Sequence, residues 1–183
     1  MGYISSFKKF TESMQHNRNY NFGCVLLKLD FKDDFWNNLL NQIDDNDLYH
    51  PEEDRYGKEL ESHVTLLYGL EPSVSDEQVL DTCKKFNGSD VIISCSKIEC
   101  FQNKDFDVVK LTMDSPMLHT INKELRNLDH IDSYPDYKPH ATIAFLKPGM
   151  GSKYCHTIEP ITIKGISNLI YSKTSGDEII INV

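Results

Sequence analysis

The sequence predicts an α+β protein built from two similar lobes. Short apolar runs rich in β-branched and aromatic residues alternate with helix-like segments, in the order strand, helix, strand, helix, strand, strand, helix, strand and terminal hairpin. Two of these strands, residues 63–69 and 140–146, open with the same His-x-Thr triplet and occupy comparable places in the two halves of the chain. We therefore expect an internal pseudo-twofold axis that relates two α/β lobes, with one His-x-Thr strand in each.

Composition and length restrict the class of protein. A chain of 183 residues with 39% hydrophobic and 26% charged residues is typical of one soluble domain, here residues 1–183. No apolar run is long enough to span a membrane and no signal peptide is recognisable, so we expect a cytoplasmic protein whose five cysteines are reduced. The net charge of −9 disfavours a broad grip on duplex nucleic acid, but it permits a small nucleotide in a local pocket.

The first half of the chain contains a buried strand and a long polar loop. Residues 1–19 predict a short amphipathic helix or arm. Residues 22–30 are almost continuously apolar, which predicts a central strand covered on both faces, and Asp33 or Asp34 caps the helix that follows. Residues 44–61 form an acidic loop directly before the first His-x-Thr triplet, and long loops inside compact domains are often functional.

The remaining elements are two capped helices and two hairpins. Ser75 caps a helix over residues 76–86, and Pro116 opens a third helix that is capped by Asp114 or Ser115. The predicted strands outside the two His-x-Thr runs are 91–101, 106–113, 158–171 and 179–183. The last two form a C-terminal hairpin within residues 157–183.

The two His-x-Thr strands place their polar residues on one face. Side chains alternate along a strand, so His63 and Thr65 share one face, and Val64, Leu66 and Tyr68 are predicted on the other. The same alternation puts His140 and Thr142 on one face of the second strand, with Ala141, Ile143 and Phe145 opposite.

Two imidazoles and two hydroxyls converge if these strands lie side by side. Imidazole titrates near neutrality, so one histidine can accept a proton while the other donates one. Threonine hydroxyls can donate hydrogen bonds to the non-bridging oxygens of a phosphodiester. A structural histidine beside a threonine is the alternative for either triplet alone. The repetition at the start of two apolar strands favours an active site made of His63, Thr65, His140 and Thr142.

Two His-x-Thr triplets in an α+β protein of this size resemble the two-histidine phosphoesterase superfamily, which includes RNA ligase-like cyclic phosphodiesterases and 2′,5′-oligoadenylate phosphodiesterases. The resemblance covers roughly residues 22–146. It implies antiparallel sheets that form a central groove flanked by helices. It also implies catalysis without a metal or another cofactor, with His63 and His140 as the acid–base pair and Thr65 and Thr142 beside them.

Within that superfamily, one branch is more similar than the others. Leu48-Tyr49 and Tyr56-Gly57 before residues 63–69, together with residues 169–172, look like the phage anti-CBASS nuclease group. Members of that group degrade the cyclic di- and trinucleotide signals of a bacterial defence system and stack the bases on aromatic residues. This resemblance implies action in the host cytoplasm if the protein is phage-encoded. The candidate base-binding residues are Tyr56, Tyr68, Tyr134 and Tyr137.

The sequence therefore predicts a metal-independent phosphodiesterase that cleaves 3′–5′ bonds of small cyclic oligonucleotides, with no duplex nucleic acid or membrane as partner. Either histidine could be the base. The same four residues would also serve a phosphodiesterase for 2′–5′ oligoadenylate or 2′,3′-cyclic nucleotides. A third hypothesis is a protein that sequesters nucleotides without cleaving them.

Overall fold

The computed structural model describes residues 22–32, 34–50, 52–53, 56–132 and 135–183, and the predicted leader, residues 1–19, lies outside them. Within the described residues the chain forms eight strands and three helices. In chain order they are β1 (Gly23–Lys28), α1 (Phe35–Asn41), β2 (His63–Leu70), α2 (Asp76–Cys83), β3 (Ile92–Gln102), β4 (Asp107–Asp114), α3 (Pro116–Leu125), β5 (His140–Leu146), β6 (His156–Lys164), β7 (Asn168–Ser172) and β8 (Glu178–Asn182).

The strands form two antiparallel sheets of four strands each. Their orders are β2-β1-β7-β8 and β5-β4-β3-β6, so each His-x-Thr strand is the edge of its sheet. These two edges, β2 and β5, lie against each other. The predicted α+β fold with two related lobes is confirmed. Counted from the edges at which the sheets meet, the strands β2, β1, β7 and β8 of one sheet correspond in position to β5, β4, β3 and β6 of the other.

One hydrophobic core lies behind both sheets. It joins Val25 and Val64 from the first sheet with Val109 and Ile143 from the second. The helices cover this face, since buried residues of α1, α2 and α3 belong to the same cluster. The opposite faces of the two sheets, which we call the groove face, are thereby left for His63 and the other polar residues of the two strands.

Two of the three helices begin as the sequence predicts. The Ser75 hydroxyl accepts from the Gln78 amide, and the Gln78 side chain accepts from the Ser75 amide, which is a complete capping box. Ser115 caps α3 by accepting from Leu118, with Pro116 at the first helical position. None of the helices within the described ranges is both long and apolar enough to cross a membrane.

The predicted cap of α1 is Asp33 or Asp34, and Asp33 lies outside the described residues. Asp34 is the N-cap residue by position, but it adopts a left-handed conformation with φ of 53° and makes no side-chain cap hydrogen bond. The helix is fixed from its side instead, because buried Trp36 donates from Nε1 to the carbonyl of Glu59 at 2.9 Å. This bond ties α1 to the loop that leads into β2.

The predicted strand over residues 158–171 is wrong, because the structure contains two strands there. β6 pairs with β3 in the second sheet, whereas β7 pairs with β1 in the first. Between them Gly165 has φ of +73° and donates its amide to Val91, and Ile166 donates to Gly88. A left-handed glycine turns the chain at this point. The C-terminal hairpin is therefore β7–β8 alone.

Candidate active site

The first residues of β2 and β5 are the two motif histidines, and each ring is oriented by its own backbone. The Nδ1 atom of His63 is 3.0 Å from the carbonyl oxygen of Glu61, and that of His140 is 2.7 Å from the carbonyl oxygen of Lys138. A carbonyl oxygen only accepts hydrogen bonds, so Nδ1 carries the proton in the neutral form of both rings. In the neutral form of both rings, Nε2 is then the nitrogen that carries the lone pair and can accept a proton.

This local hydrogen bond is not by itself a mark of catalysis. His130 and His156 make the same contact, with the carbonyls of Leu128 at 2.8 Å and Tyr154 at 2.9 Å. His63 and His140 differ from these two because they come from facing edge strands and lie close enough that the charge of one affects the other. The structure thus brings the two predicted histidines together.

Burial favours the neutral form of His63. His63 is only 6% exposed, and burial is the largest cause that lowers its pKa below the ordinary value of histidine. The hydrogen bond to the Glu61 carbonyl and the Glu61 charge raise that pKa, while the charges of His140 and Lys28 lower it.

His140 is kept neutral by burial and by a cation. Burial is again the largest cause that lowers the pKa of His140, and the charge of Lys110 lowers it further against the opposing hydrogen bond to the Lys138 carbonyl. Because His140 also disfavours a charge on His63, a doubly protonated pair is unfavourable. The active form of the pair is therefore expected to carry one proton.

A β-bulge in β2 changes the face of one candidate residue. Thr65 pairs with Leu26 and Tyr68 pairs with Cys24, so β2 has one more residue than β1 between these two pairs. The extra residue puts Tyr68 on the same face as Thr65, where it packs against Cys24 and Leu26. The predicted placement of Tyr68 opposite Thr65 is wrong, because strict alternation does not survive a bulge.

The second motif strand carries the same bulge. Thr142 pairs with Lys110 and Phe145 pairs with Val108, so β5 also has one additional residue after its threonine. Phe145 therefore shares the groove face with Thr142, again contrary to the predicted alternation. Both strands present histidine, threonine and an aromatic residue along one face, in the pattern His-x-Thr-x-x-Tyr or His-x-Thr-x-x-Phe.

The loop before β2 brings further aromatic rings to this place. It runs along the edge of β5 that is not paired with β4. There the Tyr49 amide donates to the carbonyl of Phe145, and the Phe145 amide donates to the carbonyl of Gly57. The ring of Tyr56 is 5.6 Å from that of Phe145, and the ring of Phe106 is 5.7 Å from it. Tyr56 is thus beside the groove face, in an aromatic cluster of Tyr49, Tyr56, Phe106 and Phe145.

The other two candidate tyrosines are placed differently. Tyr137 packs against the main core and meets the ring of His119, on α3, at 5.4 Å. Burial raises its pKa well above the ordinary range of tyrosine, and its hydroxyl has no hydrogen-bond partner among the described residues. The structure does not bring Tyr137 to the four polar residues. Tyr134 lies outside the described residues.

Sequence reasoning missed a polar group beside His140. Lys110, on β4, is only 4% exposed, and its Nζ lies 3.3 Å from Glu99 and donates to the Thr112 hydroxyl at 3.0 Å. Its Nζ is also 4.4 Å from the centre of the Phe101 ring, which meets His140 edge to face at 5.2 Å. A lysine between the apolar residues Val109 and Leu111 of β4 was the signal available in the sequence.

Comparison with known proteins identifies a family. The sequence model of the family described as "Anti-CBASS protein Acb1" matches residues 58–165, which is more than half of the chain and includes both His-x-Thr triplets. A search of curated proteins found no match.

Three solved structures are similar in architecture. Usb1 of Kluyveromyces marxianus, solved with uridine monophosphate, has a TM-score of 0.56 at 10% identity, over 90% of this chain and 99% of that one. A protein described as a phosphoesterase has a TM-score of 0.47, and E. coli LigT complexed with NADP+ has 0.45, each at 14% identity and over 89% of this chain and 95% of the other. The likeness to Usb1 supports the fold.

Proposed function

The chain belongs to the family of the anti-CBASS protein Acb1, and on that premise we propose that it is a phosphodiesterase that cleaves 3′–5′ bonds of cyclic di- and trinucleotides. These substrates would be the signals of the bacterial defence system after which the family is named, so the enzyme would act in the cytoplasm of a host cell. One observation supports this proposal above the others: a buried and a partly buried imidazole from facing edge strands both have Nδ1 bonded to a carbonyl. In the neutral form of each ring, Nε2 is then the nitrogen that can accept a proton.

The reaction needs one neutral and one protonated imidazole. The neutral ring takes the proton of a ribose 2′-hydroxyl through Nε2, and the 2′ oxygen forms a bond to the adjacent phosphorus. The bond from phosphorus to the 5′ oxygen breaks, and the protonated ring gives its proton to that oxygen. The products are a 2′,3′-cyclic phosphate and a free 5′-hydroxyl, and the pair is left with its proton on the other ring. Water can then open the cyclic phosphate. In this step the two rings exchange roles, so the ring that accepted the first proton now donates it.

The threonines support this step. Thr65 and Thr142 follow their histidines at the same spacing on the groove face, so their hydroxyls are suited to the non-bridging phosphate oxygens as charge develops. Such donors stabilise the transition state without adding charge to a pair of histidines that already disfavours two protons. The 2′-hydroxyl requirement restricts the enzyme to ribonucleotides.

Aromatic residues on the groove face suit the bases. Tyr68 and Phe145 follow the two threonines at equal spacing, and Tyr56 packs against Phe145. Stacking of one base on an aromatic ring contributes about 1–3 kcal/mol, a large share of the binding energy for a ligand with only two or three bases.

The test is a substrate panel with EDTA present, analysed by mass spectrometry. The panel contains 3′,3′ cyclic dinucleotides, cyclic trinucleotides, linear 2′–5′ oligoadenylate and a 2′,3′-cyclic mononucleotide. We expect the cyclic oligonucleotides to be cleaved, and His63→Ala or His140→Ala to lower the rate by about 10²–10⁴-fold each.

His156→Ala is the matched control, because His156 is exposed and also begins a strand with Nδ1 bonded two residues back. This variant should retain normal activity. Cleavage of only the linear or mononucleotide substrates would overturn the cyclic-substrate proposal. Tight binding without product, unaffected by both active-site variants, would instead indicate sequestration.

A further inference from the structure

The two lobes differ at one position of the groove face. Lys110 pairs with Thr142 across β4 and β5, at the place where Leu26 pairs with Thr65 across β1 and β2. Leu26 is 1% exposed and Lys110 is 4% exposed, so one lobe buries an apolar side chain where the other buries a cation. Burial of a charged amine is costly unless it is paired, and a leucine already fits the equivalent position in this fold. The charge therefore calls for an explanation other than packing.

The contacts of Lys110 hold its ammonium group next to His140. The next groove-facing residue of β4, Thr112, pairs with His140 itself, and its hydroxyl is bonded to the Lys110 Nζ at 3.0 Å. Phe101 contacts both groups, with the Lys110 Nζ 4.4 Å from the centre of its ring and the His140 imidazole perpendicular to it at 5.2 Å. Because the ring face attracts a cation, this packing fixes the ammonium group on that side of the ring.

The anion that balances Lys110 comes from the strand behind it and is the more exposed partner. Glu99 accepts from Lys110 at 3.3 Å and from Thr112, but its backbone is on β3, two strands from β5, and its side chain is 49% exposed. Of these two charges, that of Lys110 acts on the pKa of His140 and lowers it. Solvent screens the exposed carboxylate more than it screens the buried ammonium group.

The surroundings of His63 have the opposite balance. Lys28 pairs with His63 across β1 and β2, but its Nζ is ion-paired with Glu61 at 2.9 Å. The lysine side chain is 47% exposed and the glutamate only 10%, so here the anion is the more buried partner. The carbonyl of the same Glu61 accepts from the His63 ring. The neighbouring charges therefore favour a protonated imidazole more at His63 than beside Lys110.

From this asymmetry we propose that Lys110 is a positioning residue that keeps His140 neutral, so that His140 is the general base and His63 the general acid. Among the described residues, four charged or titratable groups lie around His140. They are Lys110 on β4, Glu99 behind it on β3, His63 on β2 and the exposed Lys138, two residues before His140 in the chain. The assignment of the two histidines rests on the proposed phosphodiester cleavage, whereas the effect of Lys110 on His140 does not.

The first experiment titrates the histidines by NMR in the full chain without any substrate. Lys110→Met preserves the length of the buried side chain but removes its charge, and we expect the pKa of His140 to rise. Glu99→Gln leaves the cation without its carboxylate, and we expect the pKa of His140 to fall. Lys164→Met, which removes an exposed lysine near the end of β6, should leave it unchanged.

Shifts of opposite sign cannot come from a purely structural role of Lys110. An unchanged His140 titration in both folded variants would overturn the inference, and so would shifts of the same sign. If Lys110→Met does not fold, Lys110→Arg and Glu99→Gln carry the test, since Lys110→Arg should keep the wild-type titration. Failure of the cyclic-nucleotide proposal would leave this result intact.

The second experiment assigns the acid. The probe is a 3′,3′ cyclic dinucleotide with sulfur in place of a bridging 5′ oxygen, because a thiolate leaves without being protonated. His63→Ala should lose about 10²-fold or more on the oxygen substrate and recover to within about tenfold of the wild type on the sulfur substrate. His140→Ala should remain slow on both substrates. The reverse pattern, or no rescue of either variant, would overturn the assignment.

Discussion

Tyr68 and Phe145 occupy equivalent positions in the two lobes, each three residues after the threonine of a His-x-Thr triplet and on the same face as that threonine. The two bulges that create this arrangement lie at the same place in both strands. Bulges near sheet edges often redirect a side chain toward a site. A residue that alternation would assign to the core side is thereby presented to the groove.

The first prediction concerns these aromatic residues. Tyr68→Ala should raise KM for a cyclic dinucleotide by roughly 5- to 150-fold and change kcat much less, because a lost stacking contact of about 1–3 kcal/mol weakens binding of substrate and transition state alike. Steady-state kinetics on the purified variant would measure both constants.

Tyr137→Phe is its control, since Tyr137 packs beside α3 and should leave KM unchanged. A thermal melt of both variants checks folding. A fall in kcat with an unaltered KM for Tyr68→Ala would contradict a role in base binding.

The second prediction is the pH dependence of the reaction. The pKa values of His63 and His140 both lie below the ordinary value of 6.5, mainly because both rings are buried. The active enzyme holds one proton on the pair, so the active fraction decreases as pH rises through a value below 6.5. We expect kcat/KM to be greatest below neutral pH and then to fall by roughly tenfold per pH unit.

The measurement is kcat/KM between pH 4.5 and 8.5 at constant ionic strength. A plateau that extends above pH 8 would be inconsistent with the lowered pKa values. Lys110→Met should move the decline to higher pH, because a cation next to His140 has been removed.

The sequence was sufficient for features that depend on neighbours along the chain. The capping box at Ser75 and the proline-led start of α3 are local, and the repeated triplets identified both motif strands. The bulges were not predictable in the same way. Whether Tyr68 follows Thr65 on one face depends on its pairing with β1, which a single-strand pattern does not contain.

The missed features all depend on long-range pairing. Lys110 gains its place beside His140 through Thr112 and the register between β4 and β5. The division of the last apolar stretch into β6 and β7 depends on which strand each part pairs with. Gly165 by itself does not predict that the chain leaves one sheet for the other. Local propensity determined the elements, and register determined which side chains meet in the groove.

The third prediction concerns Glu59, whose backbone amide donates to the carbonyl of Ile143 in β5. Burial is the main cause that raises the pKa of Glu59 from 4.5 to about 7. The folded protein therefore keeps this proton at pH values where the unfolded chain has released it. The free energy of unfolding should decline as pH rises from about 4.5 to about 7.

Glu59→Gln removes this dependence. At pH 8 the variant should be more stable than the wild type by about 3–4 kcal/mol, because the pKa difference of roughly 2.5 is worth about 1.4 kcal/mol per unit, and at pH 4 the two should be equal. Urea unfolding at several pH values would measure the difference, in which the contributions of other groups cancel. A difference that does not change between pH 4 and pH 8 would show that Glu59 does not hold its proton in the folded state.

The last prediction concerns the support behind β2. Asn122, buried on α3, donates from Nδ2 to the carbonyl of Leu66 at 2.6 Å. Leu66 is part of the His-x-Thr strand, where the bulge interrupts regular pairing with β1. Asn122→Leu leaves that buried carbonyl without this donor, which costs about 1–3 kcal/mol of unfolding free energy. Because the same contact holds β2 against α3, kcat should also fall while the variant is folded.

Asn122→Gln keeps the amide group but places it on a longer side chain. This variant therefore tests whether the position of the donor matters, and not only its presence. Urea unfolding and kcat should be measured for both variants and for Thr120→Ala, whose hydroxyl donates to the Pro116 carbonyl on the exposed side of α3. If Asn122→Leu unfolded at the wild-type urea concentration with normal kcat, α3 would not position the motif strand. Loss of stability with normal kcat would limit its role to the core, and the catalytic geometry would then depend on the sheet edges alone.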